Sequence, residues 1–279
     1  MSVTSRAVLA VCTVLATIAA GCAPKTRVIP IAVASGQPRA AAERIADYPQ
    51  AFQAIAFVMS QDLQLPVPPV TLYLYPTRAA FAQGLVVERK FDPEVAEEAA
   101  SFSRGVGGPE KILVNEGALA RAQWPERIRF LSHEFTHTIQ YALARDRRST
   151  SEQWLREGFA DYVSFRVMES LGLDTYMHRR ANRVREVRSV RDKAFPALSQ
   201  MTTFPQWVHL RSRQGSEATY GQAFLAVDLL IARAGYPAAV EYFRLFAGSD
   251  DRLANFRAAF GRDLPAFERE FEAHLQSLR

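Results

Sequence analysis

The sequence predicts an α+β protein, with a mixed front half up to residue 123 and a mainly helical back half from residue 124 onward. Three observations carry this. Short β-branched and aromatic runs bounded by proline or glycine fall in the front half only. From Trp124 onward, apolar residues recur at three- and four-residue spacing. With 48% hydrophobic and 23% charged residues, the 279-residue chain can build a core and lacks the charge excess of a disordered one.

Taken in order, Arg6 precedes an apolar run, residues 7–20, that ends in small residues, which is the layout of a signal peptide over residues 1–21. Ile18-Ala19-Ala20-Gly21-Cys22 resembles a bacterial lipobox in which Cys22 is lipidated and anchors the chain to a membrane; Ala19 stands where that pattern usually has Leu, and ordinary cleavage to a secreted or periplasmic soluble chain is the alternative. Residues 22–42, rich in alanine, proline and small polar residues, read as a tether. Cys12 and Cys22 are the only cysteines, so the body, residues 43–279, has no disulfide framework, cysteine zinc cage or cysteine nucleophile. After residue 21 no apolar span is long enough for a polytopic membrane protein.

In the body, Ile45, Phe52, Ile55, Met59 and Leu63 predict an amphipathic helix over residues 43–63, closed by a proline-rich break. Val70–Tyr75 reads as a strand, and Thr77 as the N-cap of a helix over 78–85. Residues 100–106 and Lys111–Asn115 flank Gly107-Gly108-Pro109 and predict a β-hairpin. The back half predicts helices over 125–144, 151–171, 175–190, 218–234, 237–246, 251–260 and Leu264–Leu278. Pro125 suits a first helical turn, and Gly172, Gly235 and Gly261 suit helix ends.

The predicted helix after Pro125 contains His133-Glu134-Phe135-Thr136-His137, the pattern HExxH. Histidines one turn apart leave the same helix face and can converge on one ion, with Glu134 beside them. The next helix carries Trp154-Leu155-Arg156-Glu157-Gly158-Phe159-Ala160-Asp161-Tyr162, which puts Glu157 20 positions beyond His137. Two helices joined by a short loop pack antiparallel, so Glu157 can reach the ion as a third ligand. Three protein ligands leave a fourth position open, the catalytic rather than the structural arrangement. Asp161, one turn after Glu157, can accept a hydrogen bond from His133 or His137 and fix its tautomer.

These two segments resemble the gluzincin metallopeptidases, in particular the peptidase MA-like domain related to aminopeptidase-N-type enzymes. The resemblance implies a thermolysin-like zincin fold, one Zn²⁺ on His133, His137 and Glu157, and Glu134 as general base in peptide hydrolysis. Tyr220-Gly221-Gln222-Ala223-Phe224 is similar to the tyrosine-glycine helix of such domains, which implies Tyr220 as donor to the oxyanion. The resemblance also implies that Lys111–Asn115 is the edge strand above the zinc helix and binds substrate backbone by β-addition. The aminopeptidase motif Gly-x-Met-Glu-Asn is replaced here by Ile112-Leu113-Val114-Asn115-Glu116, so a free-amine anchor rests on Glu116 alone and endopeptidase activity is the expectation.

The net charge of +5 comes from 30 arginines against 4 lysines. Arg179, Arg180, Arg183, Arg185, Arg188, Arg191 and Lys193 concentrate on one helix, read first as a solvated face and otherwise as a surface for anionic head groups or an acidic substrate. No nucleic-acid-binding motif accompanies them. His178, His209 and His274 lack ligand spacing, and His209 alone stands near enough to Trp207 and Tyr220 in sequence to approach the site. The expected function is an exported, envelope-held zinc peptidase acting on peptides or proteins. The alternative is a peptidase-fold lipoprotein that binds envelope peptides without turnover.

Overall fold

A computed structural model of the chain describes residues 25–31, 45–145, 151–190 and 195–278. The expected signal peptide, Cys22, Arg191 and Lys193 lie outside the described residues. The architecture is mixed α and β: a four-stranded sheet covered on both faces, followed by a helical body.

The first strand falls inside the expected tether. β1 (Arg27–Ile31) pairs antiparallel with β2 (Val70–Tyr75), Arg27 opposite Leu74 and Ile31 opposite Val70. Val28, Ile29 and Ile31 are β-branched, and Pro30 is tolerated because β1 lies at the sheet edge, where no further strand needs its missing N–H. The helix expected over 43–63 is α1 (Tyr48–Phe57), continued by a π-helical turn, Val58–Asp62. It starts late because the Asp47 side chain accepts from Gln50 N–H and Pro49 sits in the first turn. α2 (Arg78–Arg89) begins at its Thr77 cap as expected and runs further.

The expected hairpin is corrected. Residues 100–102 end a helix, α3 (Pro93–Phe102), which is started by the Asp92 cap and Pro93 and built on buried Ala96, Ala99 and Ala100. Only Gly105–Gly108 forms the strand β3, antiparallel to β4 (Lys111–Asn115), with Val106 opposite Leu113. β4 also pairs in parallel with β2, so Lys111–Asn115 is an inner strand with both edges used and cannot accept a substrate backbone; the edge beside it is β3. Successive β4 side chains serve opposite faces, as a strand requires. Ile112 and Val114 join the main core with Phe52 and Phe135, and Leu113 joins a second core with Phe81 and Ala99.

After a short α4 (Glu116–Leu119) comes α5 (Trp124–Leu143), then α6 (Gln153–Ser170), α7 (Tyr176–Ser189) and α8 (Phe204–Gln214). α8 was not expected, although Thr203 and Gln206 form a capping box around Pro205. A second π-helical turn, Glu217–Gly221, leads into α9 (Gln222–Ala234), and α10 (Tyr236–Leu245), α11 (Arg252–Phe260) and α12 (Leu264–Leu278) close the body. α6 is buried between α5 and α9, with Trp154, Phe159 and Val163 wholly inside. A Cβ on Gly158 would lie 2.2 Å from the Ala223 carbonyl, so glycine permits the close α6–α9 crossing. No single described helix is long and apolar enough to cross a membrane. The bent pair Glu217–Ala234 and Tyr236–Leu245 passes on composition, and its Phe224, Leu230 and Tyr242 are core residues.

Candidate metal centre

α5 carries both histidines of the motif on one buried face, their rings 4.9 Å apart and nearly perpendicular. Each ring is fixed from behind. His133 Nδ1 lies 3.0 Å from Asp161 Oδ1. A carboxylate only accepts, so this nitrogen carries the hydrogen and Nε2 faces the site. His137 Nδ1 lies 3.0 Å from Gln140 Oε1, and the Gln140 amide is oriented by its Nε2 donating to the Arg156 carbonyl at 3.0 Å. Both Nε2 atoms therefore turn toward the same point.

Glu157 on α6 completes the group. Its Oε2 lies 3.2 Å from His133 Nε2 and 3.6 Å from His137 Nε2, while Oε1 accepts from Gln153 Nε2 at 2.6 Å. One ligand atom from each of the three residues lies within 4.8 Å of the others. Two imidazole nitrogens and one carboxylate oxygen, on buried His133 and Glu157 and half-buried His137, could hold a metal ion. Gln153 leaves its own Oε1 buried without a partner beside the group.

The surrounding charges explain the titration directions. Burial alone would lower the His133 pKa, but the hydrogen bonds to Asp161 and Glu157 and the nearby carboxylates override it and push it up to about 10. Burial opposes ionisation of Glu157, yet the two imidazoles hold its carboxyl down at about 2. Asp161 is likewise driven against its burial to well below the ordinary range, chiefly by Arg183, whose Nη2 donates to Oδ2 at 2.6 Å, and then by His133. Glu134 moves the other way, raised by burial more than the histidines lower it.

Glu134 Oε2 accepts from Gly107 N–H at 2.7 Å. This contact requires β3 to cross directly over the motif: a Cβ at Gly107 would lie 2.0 Å from the Glu134 carbonyl oxygen and 3.0 Å from His137 Cβ. The glycine run that permits this crossing also hid the strand from a propensity-based reading. Tyr220, in the π-helical turn before α9, packs its ring 6.0 Å from His133 and 4.9 Å from Trp207. Burial, then Glu157 and Glu134, raise its phenol well above the ordinary value, so it keeps its proton.

The structure thus brings His133, Glu134, His137, Glu157, Asp161 and Tyr220 together. Glu116 stands elsewhere, bonded to Arg27 at 2.9 Å and Tyr48 at 3.3 Å, and so anchors no substrate amine in the cleft. His209 is exposed on α8, and His178 bonds Asp174 on the surface at 2.7 Å. The arginine-rich α7 is only partly a solvated face: Arg179, Arg180 and Arg183 pair with Asp174, Asp228 and Asp161.

The cleft over the site has two stretches. One stretch is lined by Phe91, Ala99, Phe204 and Trp207, with Phe91 and Phe204 rings 4.8 Å apart, and by Arg89 and Arg156. On the Tyr220 side it is lined by Arg104, Arg129, Arg183 and Arg211. No protein-family model, curated protein or solved structure matches the chain.

Proposed function

We propose that this chain is a zinc-dependent peptidase of the gluzincin type with a thermolysin-like zincin fold, held at the cell envelope by a lipid on Cys22. One observation carries the reading: His133, His137 and Glu157 turn their donor atoms to one point, and Glu134 sits buried beside it. A zinc ion bound there supplies Lewis acidity, activating water and polarising a peptide carbonyl.

The chain's own groups account for the remaining work. Gly107 N–H occupies Oε2 of Glu134, which leaves Oε1 to take a proton from water and pass it to the leaving amine. A carboxylate whose pKa is raised by burial is suited to both halves of that transfer. Tyr220, held protonated, donates its hydroxyl hydrogen toward the developing oxyanion, a contribution of about 3 kcal/mol for one placed donor. Asp161 and Gln140 fix the two imidazoles, and Gln153 restrains the second oxygen of Glu157. A module that only bound peptides would use Glu134 for its bond to Gly107 N–H and would have no use for its second carboxylate oxygen as a base.

The test is cleavage of a quenched octapeptide library by zinc-loaded wild type and by Glu134→Gln, read by mass spectrometry. The proposal expects defined cleavage sites for wild type and a loss of at least about a hundredfold in the variant, with zinc content unchanged. Cleavage that persists in Glu134→Gln at the wild-type rate would sink it.

A further inference from the structure

The Tyr220 side of the cleft is lined by four arginines, and three of them are neutralised. Arg104 and Arg129 both bond Glu126, each at 2.8 Å. Arg183 bonds Asp161 at 2.6 Å and Glu186 at 2.7 Å. Arg211 differs. Among the described residues no carboxylate pairs with it, and its Nε is buried without a hydrogen-bond partner.

Arg211 is nevertheless held in place. It lies one turn after Trp207 on α8, so both side chains leave the same helix face. Its guanidinium carbon stands 4.9 Å from the centre of the Phe102 ring and 5.9 Å from that of Tyr220. Stacking on two aromatic rings fixes the guanidinium plane while leaving its donors unused, which suits bidentate capture of a carboxylate. The rest of the cleft is lined by Phe91, Ala99 and Phe204 together with Arg89, whose Nη2 donates to the Gly107 carbonyl at 3.5 Å, and Arg156, whose Nη2 donates to the Ser151 carbonyl at 3.2 Å.

We propose that Arg211 is a substrate-binding residue that receives a carboxylate, so the preferred substrate is a peptide bearing an acidic side chain or a free C-terminal carboxylate on the Tyr220 side of the cleaved bond. This rests on the peptidase reading, since carboxylates are the anions an unmodified peptide brings. The Arg211 guanidinium stands 5.9 Å from the centre of the Tyr220 ring, which itself lies 6.0 Å from the His133 ring, and all three line one stretch of cleft, so a carboxylate captured there lies beside the candidate metal site.

The experiment uses matched quenched octapeptides with Glu or Gln beside the central bond, each with a free or an amidated C-terminus, on zinc-loaded wild type, Arg211→Gln and Arg211→Lys. Wild type is expected to favour one carboxylate by at least about tenfold in kcat/KM, and the four peptides show whether it is the side chain or the terminus. In Arg211→Gln that ratio falls to about threefold or less, and in Arg211→Lys part of it returns, because charge remains while the planar fork is lost. Equal rates in wild type, or a preference that survives in Arg211→Gln, overturn the proposal.

Binding of fluorescein-labelled versions to Glu134→Gln, with and without Arg211→Gln, separates this inference from the peptidase reading. If wild type cleaves none of the peptides, the peptidase reading fails. Carboxylate-dependent binding lost with Arg211 then still supports this one, and binding that is absent or indifferent to the carboxylate overturns it.

Discussion

Asp161 and His133 are joined back to front across two helices: Oδ1 meets the His133 ring nitrogen at 3.0 Å, and Oδ2 accepts from Arg183 at 2.6 Å. The His133 nitrogen that faces Glu157 is therefore set by a carboxylate on α6 that is itself fixed by an arginine on α7. Replacing Asp161 with Asn removes the charge and allows the amide to rotate. Metal affinity is expected to fall about 10- to 100-fold, read by competition with a chromophoric chelator. Unchanged affinity would show that the tautomer is set by something else.

Gly107 is predicted to be intolerant of any side chain. A Cβ there would lie 2.0 Å from the Glu134 carbonyl, backbone that cannot yield without moving α5. Gly107→Ala should cost about 1–3 kcal/mol in chemical denaturation and disturb activity as well, because the strand that must shift also holds Glu134. A variant as stable and active as wild type would mean that β3 does not cross α5 this closely.

Much of the site was legible in the sequence for a geometrical reason. A helix puts positions four apart on one face, so His133 with His137, and Glu157 with Asp161, could be paired before any fold was known. Gln140 and Gln153 were missed although each bonds a site residue on its own helix, His137 three positions before Gln140 and Glu157 four after Gln153, because a glutamine at that spacing is common on any helix and carries no signal by itself. Arg211 was missed with α8, which the Thr203-x-x-Gln206 capping box would have disclosed. In the fold, the helices after Trp124 other than α8 were legible by their periodicity. β3 was hidden by its glycines, and β1 by its place in a segment whose composition otherwise reads as linker.

Tyr220→Phe isolates one hydroxyl. The ring and its packing on Trp207 and His133 remain, so zinc content and fold should be retained. Loss of a donor worth about 3 kcal/mol corresponds to a kcat reduced about a hundredfold. Steady-state kinetics with zinc content measured on the same sample checks this, and an unaltered kcat would leave Tyr220 with packing alone.

Metal uptake should release a proton. With its pKa pushed up to about 10 by Asp161 and Glu157, His133 of the apoprotein is protonated at pH 7, whereas a metal ligand must offer a lone pair. Binding isotherms in buffers of different ionisation enthalpy should therefore differ by about one proton's worth of heat, and affinity should weaken as pH falls. The same raised pKa stabilises the folded apoprotein fully below the unfolded value of 6.5, and that contribution is lost as pH rises through about 10. Identical heats in every buffer would contradict the protonated state.

The most direct test is the metal content of the purified full chain after zinc is supplied and the excess removed, measured by elemental mass spectrometry beside the triple variant His133→Ala, His137→Ala, Glu157→Ala. The account predicts about one zinc per chain in wild type and none in the triple variant. Wild type without zinc, or a triple variant that retains it, would contradict the convergence of these three residues on a metal.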